Sequence, residues 1–125
     1  MILDTNALSA GADSEKAVLE ILAGAGQPAL PVIVIGEFRY GISRSRRRDA
    51  YERWLDETIG SFTVLNIDQE TTRSYTAIRL ELEQMGRPIP SNDLWIAALS
   101  RQYSQPVLSR DRHFDLVKGL TRIGW

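Results

Sequence analysis

"VIVIGEFRYGIS" (Val32–Ser43) admits two readings, and the choice between them decides the architecture. Taken alone, Val32 to Ile35 is rich in β-branched residues and suits a strand. Extended further, Val34, Phe38 and Ile42 recur every four positions, which is the stripe of a helix. Gly36 and Gly41 weaken that helix, each by about 1 kcal/mol relative to alanine. The stretch is read as a helix from about 33 to 44, which leaves only residues 29–31, between Pro28 and Pro31, as extended chain before it.

Working outward, residues 1–4 read as a strand, and Asn6 or Ser9 begins a short turn. A helix follows over 13–25, capped by Asp13 or Ser14, striped by Val18, Ile21 and Leu22, and ended by Gly24 and Gly26. Downstream, 47–60 is a helix carrying Tyr51, Trp54, Leu55 and Ile59, and "SFTVLNI" (61–67) is a strand. Asp68 caps a long helix to about Met85, with Gly86 as its stop. Pro90 and Ser91 open a helix over 92–103, "PVLS" (106–109) is a strand, 112–117 a helical turn and "LTRI" (120–123) a last strand. Short apolar strands alternating with helices imply βαβ crossovers and a mostly parallel, three-layer α/β sheet.

At 125 residues the chain is read as one domain, 1–125, with a hydrophobic share of 43% and a charged share of 25%, as in ordinary globular proteins. No apolar run approaches the ~20 residues of a membrane span, and no export signal is visible. The absence of cysteine excludes disulfides and thiolate metal sites and fits a cytoplasmic protein. A net charge of −1 offers no global attraction to nucleic acid, so any polyanion must meet a local patch or bound cations.

Four acids stand where chemistry gathers in open α/β sheets, at the carboxyl ends of strands. Asp4 ends the first strand, Asp111 lies just beyond "PVLS", and Asp93 falls in the first turn of the helix that leads into it. Glu37 adjoins the apolar stripe of the 33–44 helix and faces the rim of the core. Each has a structural alternative: Asp4 and Asp93 as helix caps, Asp111 as a turn residue, Glu37 as a solvent-facing helix residue. Together they would crowd four like charges, which raise one another's pKa unless a cation neutralises them. An all-oxygen cluster suits Mg2+ or Mn2+, and two such ions can activate a water and stabilise the leaving oxygen of a phosphodiester.

"ILDTN", "PVIVIGEFRYGISRS", "SNDLWIAA" and "LSRDRHFDLVKGL" together resemble the successive motifs of PIN-domain ribonucleases, most of all the VapC-type toxins of type II toxin–antitoxin pairs. The resemblance covers residues 2 to about 123. It implies a five-stranded parallel sheet flanked by helices and a magnesium-dependent endoribonuclease, with manganese as a substitute ion. It carries Asp4, Glu37, Asp93 and Asp111 over as catalytic metal ligands. Thr5, Asn6 and Ser109 match the polar positions that steady those ligands, and Asp115 is a further candidate acid. The partners it implies are an RNA substrate and a cognate antitoxin, with the chain itself a homodimer. Val18, Ile21 and Leu22 and the Phe38–Tyr40–Ile42 face are candidates for an apolar partner groove, with core packing as the alternative.

Arg39, two residues from Glu37, is the candidate RNA contact, and the run Arg44, Arg46, Arg47 and Arg48 reads either as a phosphate grip or as a solvated bend. His113 is the chain's one histidine, either a general base or a structural residue. Trp54 and Trp95 are expected in the core and Trp125 exposed. A receiver-like phospho-aspartate module, with Asp68 and Lys118 as its nearest stand-ins, and a PIN-fold binding module without catalysis are the competing readings. The single acid of the opening argues against the first, and the complete acidic quartet against the second.

Overall fold

In the computed structural model, which describes residues 1–125, β1 (Ile2–Leu3) leads into α1 (Thr5–Ala12) and α2 (Lys16–Ala23). Next, β2 (Ala29–Pro31) leads into α3 (Val32–Ile42) and α4 (Arg48–Thr58), and β3 (Thr63–Leu65) into α5 (Gln69–Gln84) and α6 (Ser91–Tyr103). β4 (Val107–Leu108) is followed by a 3-10 turn at Arg112–Leu116 and by β5 (Arg122–Ile123). The five strands form one sheet in the order β3-β2-β1-β4-β5, every neighbouring pair parallel. This is the five-stranded parallel sheet flanked by helices that the family resemblance implied.

The ambiguous stretch is helical throughout. Pro31 ends β2 and is also the N-cap of α3 (φ −64°, ψ 141°), so the strand turns into the helix with no loop between them. Burial overrides the strand preference of Val32–Ile35: the four-residue stripe of Val34, Phe38 and Ile42 enters the core, while Val32 stays 43% exposed.

Several boundaries differ from expectation, among them the last strand, Arg122–Ile123 in place of 120–123. Where a short turn was expected, α1 is a full helix, which Asp4 caps by accepting the Thr5 N–H. Its buried residues Ala7, Leu8, Ala10 and Gly11 are mostly small, so it packs closely without a bold stripe. Asp13 ends α1 rather than starting α2, and Ser14 takes the left-handed conformation (φ 57°), which delays α2 to Lys16. The strand expected over 61–67 shrinks to Thr63–Leu65, because the Asp68 N–H is taken by the Thr71 hydroxyl in the capping box of α5.

The core joins Ile2, Leu3, Leu8, Leu30, Leu108 and Phe114 into one buried cluster. Val18, Phe38 and Ile42 belong to that core and Ile21 and Leu22 pack against it, so they form no open partner groove; of that face only Tyr40, 78% exposed, is available. Trp54 is half-buried beside Phe38, and Trp95 is half-buried against Tyr75, ring centroids 3.9 Å apart. Trp125, expected to be exposed, is half-buried and donates its ring N–H to Glu15 Oε1 at 3.0 Å. No helix is long and apolar enough to cross a membrane.

Ladder hydrogen bonds continue one residue past the strands on the side that matters. Asp4 N–H donates to Leu108 O at 3.1 Å and Ser109 N–H to Ile123 O at 2.9 Å. Both residues are thereby fixed at the carboxyl edge, in the middle of the sheet.

Candidate active site

Asp4 is 5% exposed, and all of its hydrogen bonds are local to that edge. Oδ1 accepts the Thr5 N–H at 2.8 Å. Oδ2 accepts the Ser109 hydroxyl at 2.6 Å and the Asn6 amide at 3.1 Å. The same Asn6 amide stands 3.2 Å from Ser109 Oγ, while Asn6 Oδ1 accepts the Arg110 N–H at 3.2 Å. Ser109 Oγ in turn accepts the Asp111 N–H at 2.9 Å. Asn6 and Ser109 therefore tie the end of β1 to the end of β4 and hold Asp4 and Asp111 in a common frame.

Three other elements bring the remaining acids to the same place. Glu37 comes from α3, one turn beyond Val34 and so at the margin of the buried stripe. Asp93 comes from the first turn of α6, and Asp111 from the N-cap of the 3-10 turn, where it accepts the His113 N–H at 2.9 Å. Asp4, Glu37, Asp93 and Asp111 all line one open cleft of about 520 Å³. Glu37 Oε1 and Thr5 Oγ1 are buried there with no hydrogen-bond partner. A buried carboxylate oxygen without a donor carries an uncompensated desolvation cost. A divalent cation is the partner this all-oxygen set fits, and Asp4, Glu37, Asp93 and Asp111 are the side chains that would hold it.

The electrostatics agree with that fit. Burial raises the Asp4 carboxyl above its ordinary range and the charge of Asp111 adds to it, against the hydrogen bonds from Ser109, Thr5 and Asn6. Burial raises Asp93 too, and Asp4 and Asp111 add to the effect while His113 opposes it. The hydrogen bond with Asp93 raises His113, with Asp111 adding to it and burial opposing. Anionic oxygens held at unfavourable potential are poised for a cation.

Other expected residues lie elsewhere. Arg39 is not on the cleft: two positions along a helix turn the side chain by about 200°, so it faces α4 and pairs with Glu52 at 3.9 Å. Asp115 is also outside, held by the Arg122 guanidinium at 2.8 and 3.1 Å, which keeps its carboxyl below the usual range. Arg44, Arg46, Arg47 and Arg48 are exposed at the bend between α3 and α4. Asp68 caps α5 and bonds Gln102, at the opposite end of α6 from Asp93, so the receiver-like arrangement is not formed.

Sequence reasoning passed over Arg110. It is the only cationic side chain lining the cleft, it pairs with Glu15, and its guanidinium lies 4.7 Å from the Trp125 ring centroid. Its position inside "LSRD", between Ser109 and Asp111, was the available signal.

Known proteins resemble this chain in sequence and fold. The PIN domain profile matches residues 1–120. The ribonuclease VapC2 of Rickettsia felis is 35% identical over 101 residues, 78% of this chain and 75% of the relative. Ribonuclease VapC5 of Mycobacterium tuberculosis is 28% identical over 97 residues, 76% and 72% of the two chains. Among solved structures, VapBC2 from Rickettsia felis bound to a DNA fragment from its promoter superposes with a TM-score of 0.88 at 26% identity, covering 99% of this chain and 97% of that one. With its fold, its acidic edge and these matches in agreement over nearly the whole length, the chain belongs to the PIN domain family, among the VapC-type proteins.

Proposed function

We propose that this protein is a divalent-metal-dependent endoribonuclease and the toxin of a toxin–antitoxin pair; the relatives it matches are named ribonuclease VapC. One observation carries the reading: four carboxylates from four separate elements meet in one cleft, and a buried oxygen of Glu37 has no donor. Asp4, Glu37, Asp93 and Asp111 are the ligands, with Mg2+ the expected ion and Mn2+ a substitute. A bound divalent ion supplies activation of an attacking water and stabilisation of the leaving oxygen of a phosphodiester. The chain's own part is to hold the acids rigidly. Ser109 and Asn6 restrain Asp4, and the Ser109 hydroxyl orients Asp111 through its backbone. Thr5, whose hydroxyl is buried without a partner beside them, is the further group available to a ligand or water.

Arg110 is the cationic group at the cleft and serves to meet the RNA backbone. Beside it, a groove of about 260 Å³ runs from Thr5 and Glu37 past Gly41 to Ser45 and Tyr51, towards the exposed arginines of the α3–α4 bend. A single-stranded backbone laid along it would meet charge at both ends. The partners that follow are RNA, a cognate antitoxin and a second copy of the chain.

The test is expression in a bacterial host without a partner, with RNA ends mapped in wild type and in Asp4→Asn and Glu37→Gln variants. The purified proteins are assayed with Mg2+ and with chelator. Each substitution lowers cleavage by about a hundredfold or more, equivalent to about 2.7 kcal/mol of barrier, while the circular dichroism stays that of the folded protein. Full cleavage by a folded Glu37→Gln protein refutes the assignment.

A further inference from the structure

His113 is the one side chain among the acids that the carboxylate cluster leaves without a task. The 3-10 turn carries it to the lip of the cleft, 45% exposed. Its Nδ1 stands 2.9 Å from Asp93 Oδ2 and 3.0 Å from Asp111 Oδ1, and one ligand atom from each of the three residues lies within 4.8 Å of the others. At this nitrogen a neutral imidazole has at most one proton for two carboxylates. Asp111 Oδ1 already accepts the backbone N–H of His113 itself. Hydrogen bonding thus satisfies the group only in part.

The spacing fits an ion better. Neighbouring ligand atoms of an octahedron with bonds of about 2.1 Å are about 3.0 Å apart. Both separations from His113 match that edge, so an ion can enter with ring and carboxylates close to their present positions.

We propose that His113 Nδ1 joins Asp93 and Asp111 as a metal ligand at the outer lip of the cleft, and that this nitrogen biases the seat towards Mn2+ and other first-row transition ions over Mg2+. Imidazole suits transition ions, whereas Mg2+ keeps to oxygen and retains its waters. The inner wall, with Asp4 and Glu37, offers oxygen alone. This inference rests on the carboxylates being metal ligands, and it adds to that reading a nitrogen donor and an ion class.

The experiment uses the full chain without a histidine tag, so that His113 is the only imidazole present. Mn2+ is added, and pulsed electron paramagnetic resonance reads spin-echo modulation from a directly bound nitrogen. Mn2+ and Mg2+ affinities are measured beside it for wild type and His113→Gln. Nitrogen modulation is expected in wild type and absent in His113→Gln, with Mn2+ affinity lowered about tenfold or more and Mg2+ affinity lowered less. Bound Mn2+ without nitrogen modulation overturns the role of His113 and leaves the carboxylate site standing. Equal losses for the two ions overturn the selectivity. No Mn2+ binding by wild type overturns both this inference and the metal site beneath it. The wild-type spectrum decides the ligand even if the variant fails to fold.

Discussion

Asp4 caps α1 with one oxygen and accepts the Ser109 hydroxyl and the Asn6 amide with the other, so a single side chain both starts a helix and stands in the candidate site. Its reading as a cap is observed, and its place in the cleft is compatible with the proposed role as a metal ligand. Neighbours in sequence are not always neighbours in space. Arg39 is two residues from Glu37, but the helical turn carries it to Glu52. Arg110, adjacent to Asp111, projects from a strand end directly into the cleft. Arg110→Ala is accordingly expected to weaken RNA binding and to lower the slope of affinity against salt by roughly one charge, whereas Arg39→Ala leaves that slope unchanged. Filter-binding titrations at several salt concentrations check this, and equal slopes for wild type and Arg110→Ala would remove Arg110 from the RNA path.

Elements with a strong stripe or a strong cap were legible. The 32–43 stretch is a helix as read from Val34, Phe38 and Ile42, and Asp68 starts α5 as read from its cap. α1 was not, since Ala7, Ala10 and Gly11 give no amphipathic signal and the helix is stabilised by close packing and by Asp4. The capping box of α5 is more than local: Thr71, fully buried, bonds Asp68 and also Gln102 of α6 at 2.7 Å. Thr71→Ala is expected to destabilise the protein by about 1–2 kcal/mol, because it removes the cap partner of Asp68 and the hydroxyl that bonds the half-buried Gln102. Chemical denaturation reads this as a lower midpoint at unchanged m-value; a loss below about 0.5 kcal/mol would mean that water replaces the hydroxyl at no cost.

For the whole molecule the acidic cleft sets a pH dependence. Asp4 and Asp93 have folded-state pKa values above the ordinary 3.8, so the folded state holds their protons more tightly than the unfolded one. That stability is complete below the ordinary value and is lost as pH rises through the raised ones. His113, raised above 6.5, has the same sign: its contribution is full below 6.5 and lost as pH rises through the higher value. Glu81 and Asp115, lowered by Arg101 and Arg122, act oppositely and lose their contribution as pH falls below the ordinary carboxylate range. In chelator, Tm should therefore fall as pH rises from the ordinary carboxylate range to above the ordinary histidine value of 6.5, and Mg2+ should restore more at the upper end. Combining Asp4→Asn with Asp93→Asn should flatten that slope and raise the metal-free Tm by roughly 4 °C per kcal/mol of charge burial relieved. Thermal melts across that range check both statements, and a metal-free Tm that rises with pH would contradict the crowding of charge.

The alternation of short strands with helices, the parallel sheet, Asp4, Asp93 and Asp111 at strand and helix ends, and Glu37 beside a helix stripe were all readable from the chain, because periodicity and caps are local properties of consecutive residues. The meeting of those acids was not: Asp4 and Ser109, hydrogen-bonded at 2.6 Å, are 105 positions apart. Parallel crossovers bring such distant strand ends together, and only their three-dimensional packing leaves a Glu37 oxygen without a donor, directs Arg110 to the cleft, and sets His113 between Asp93 and Asp111.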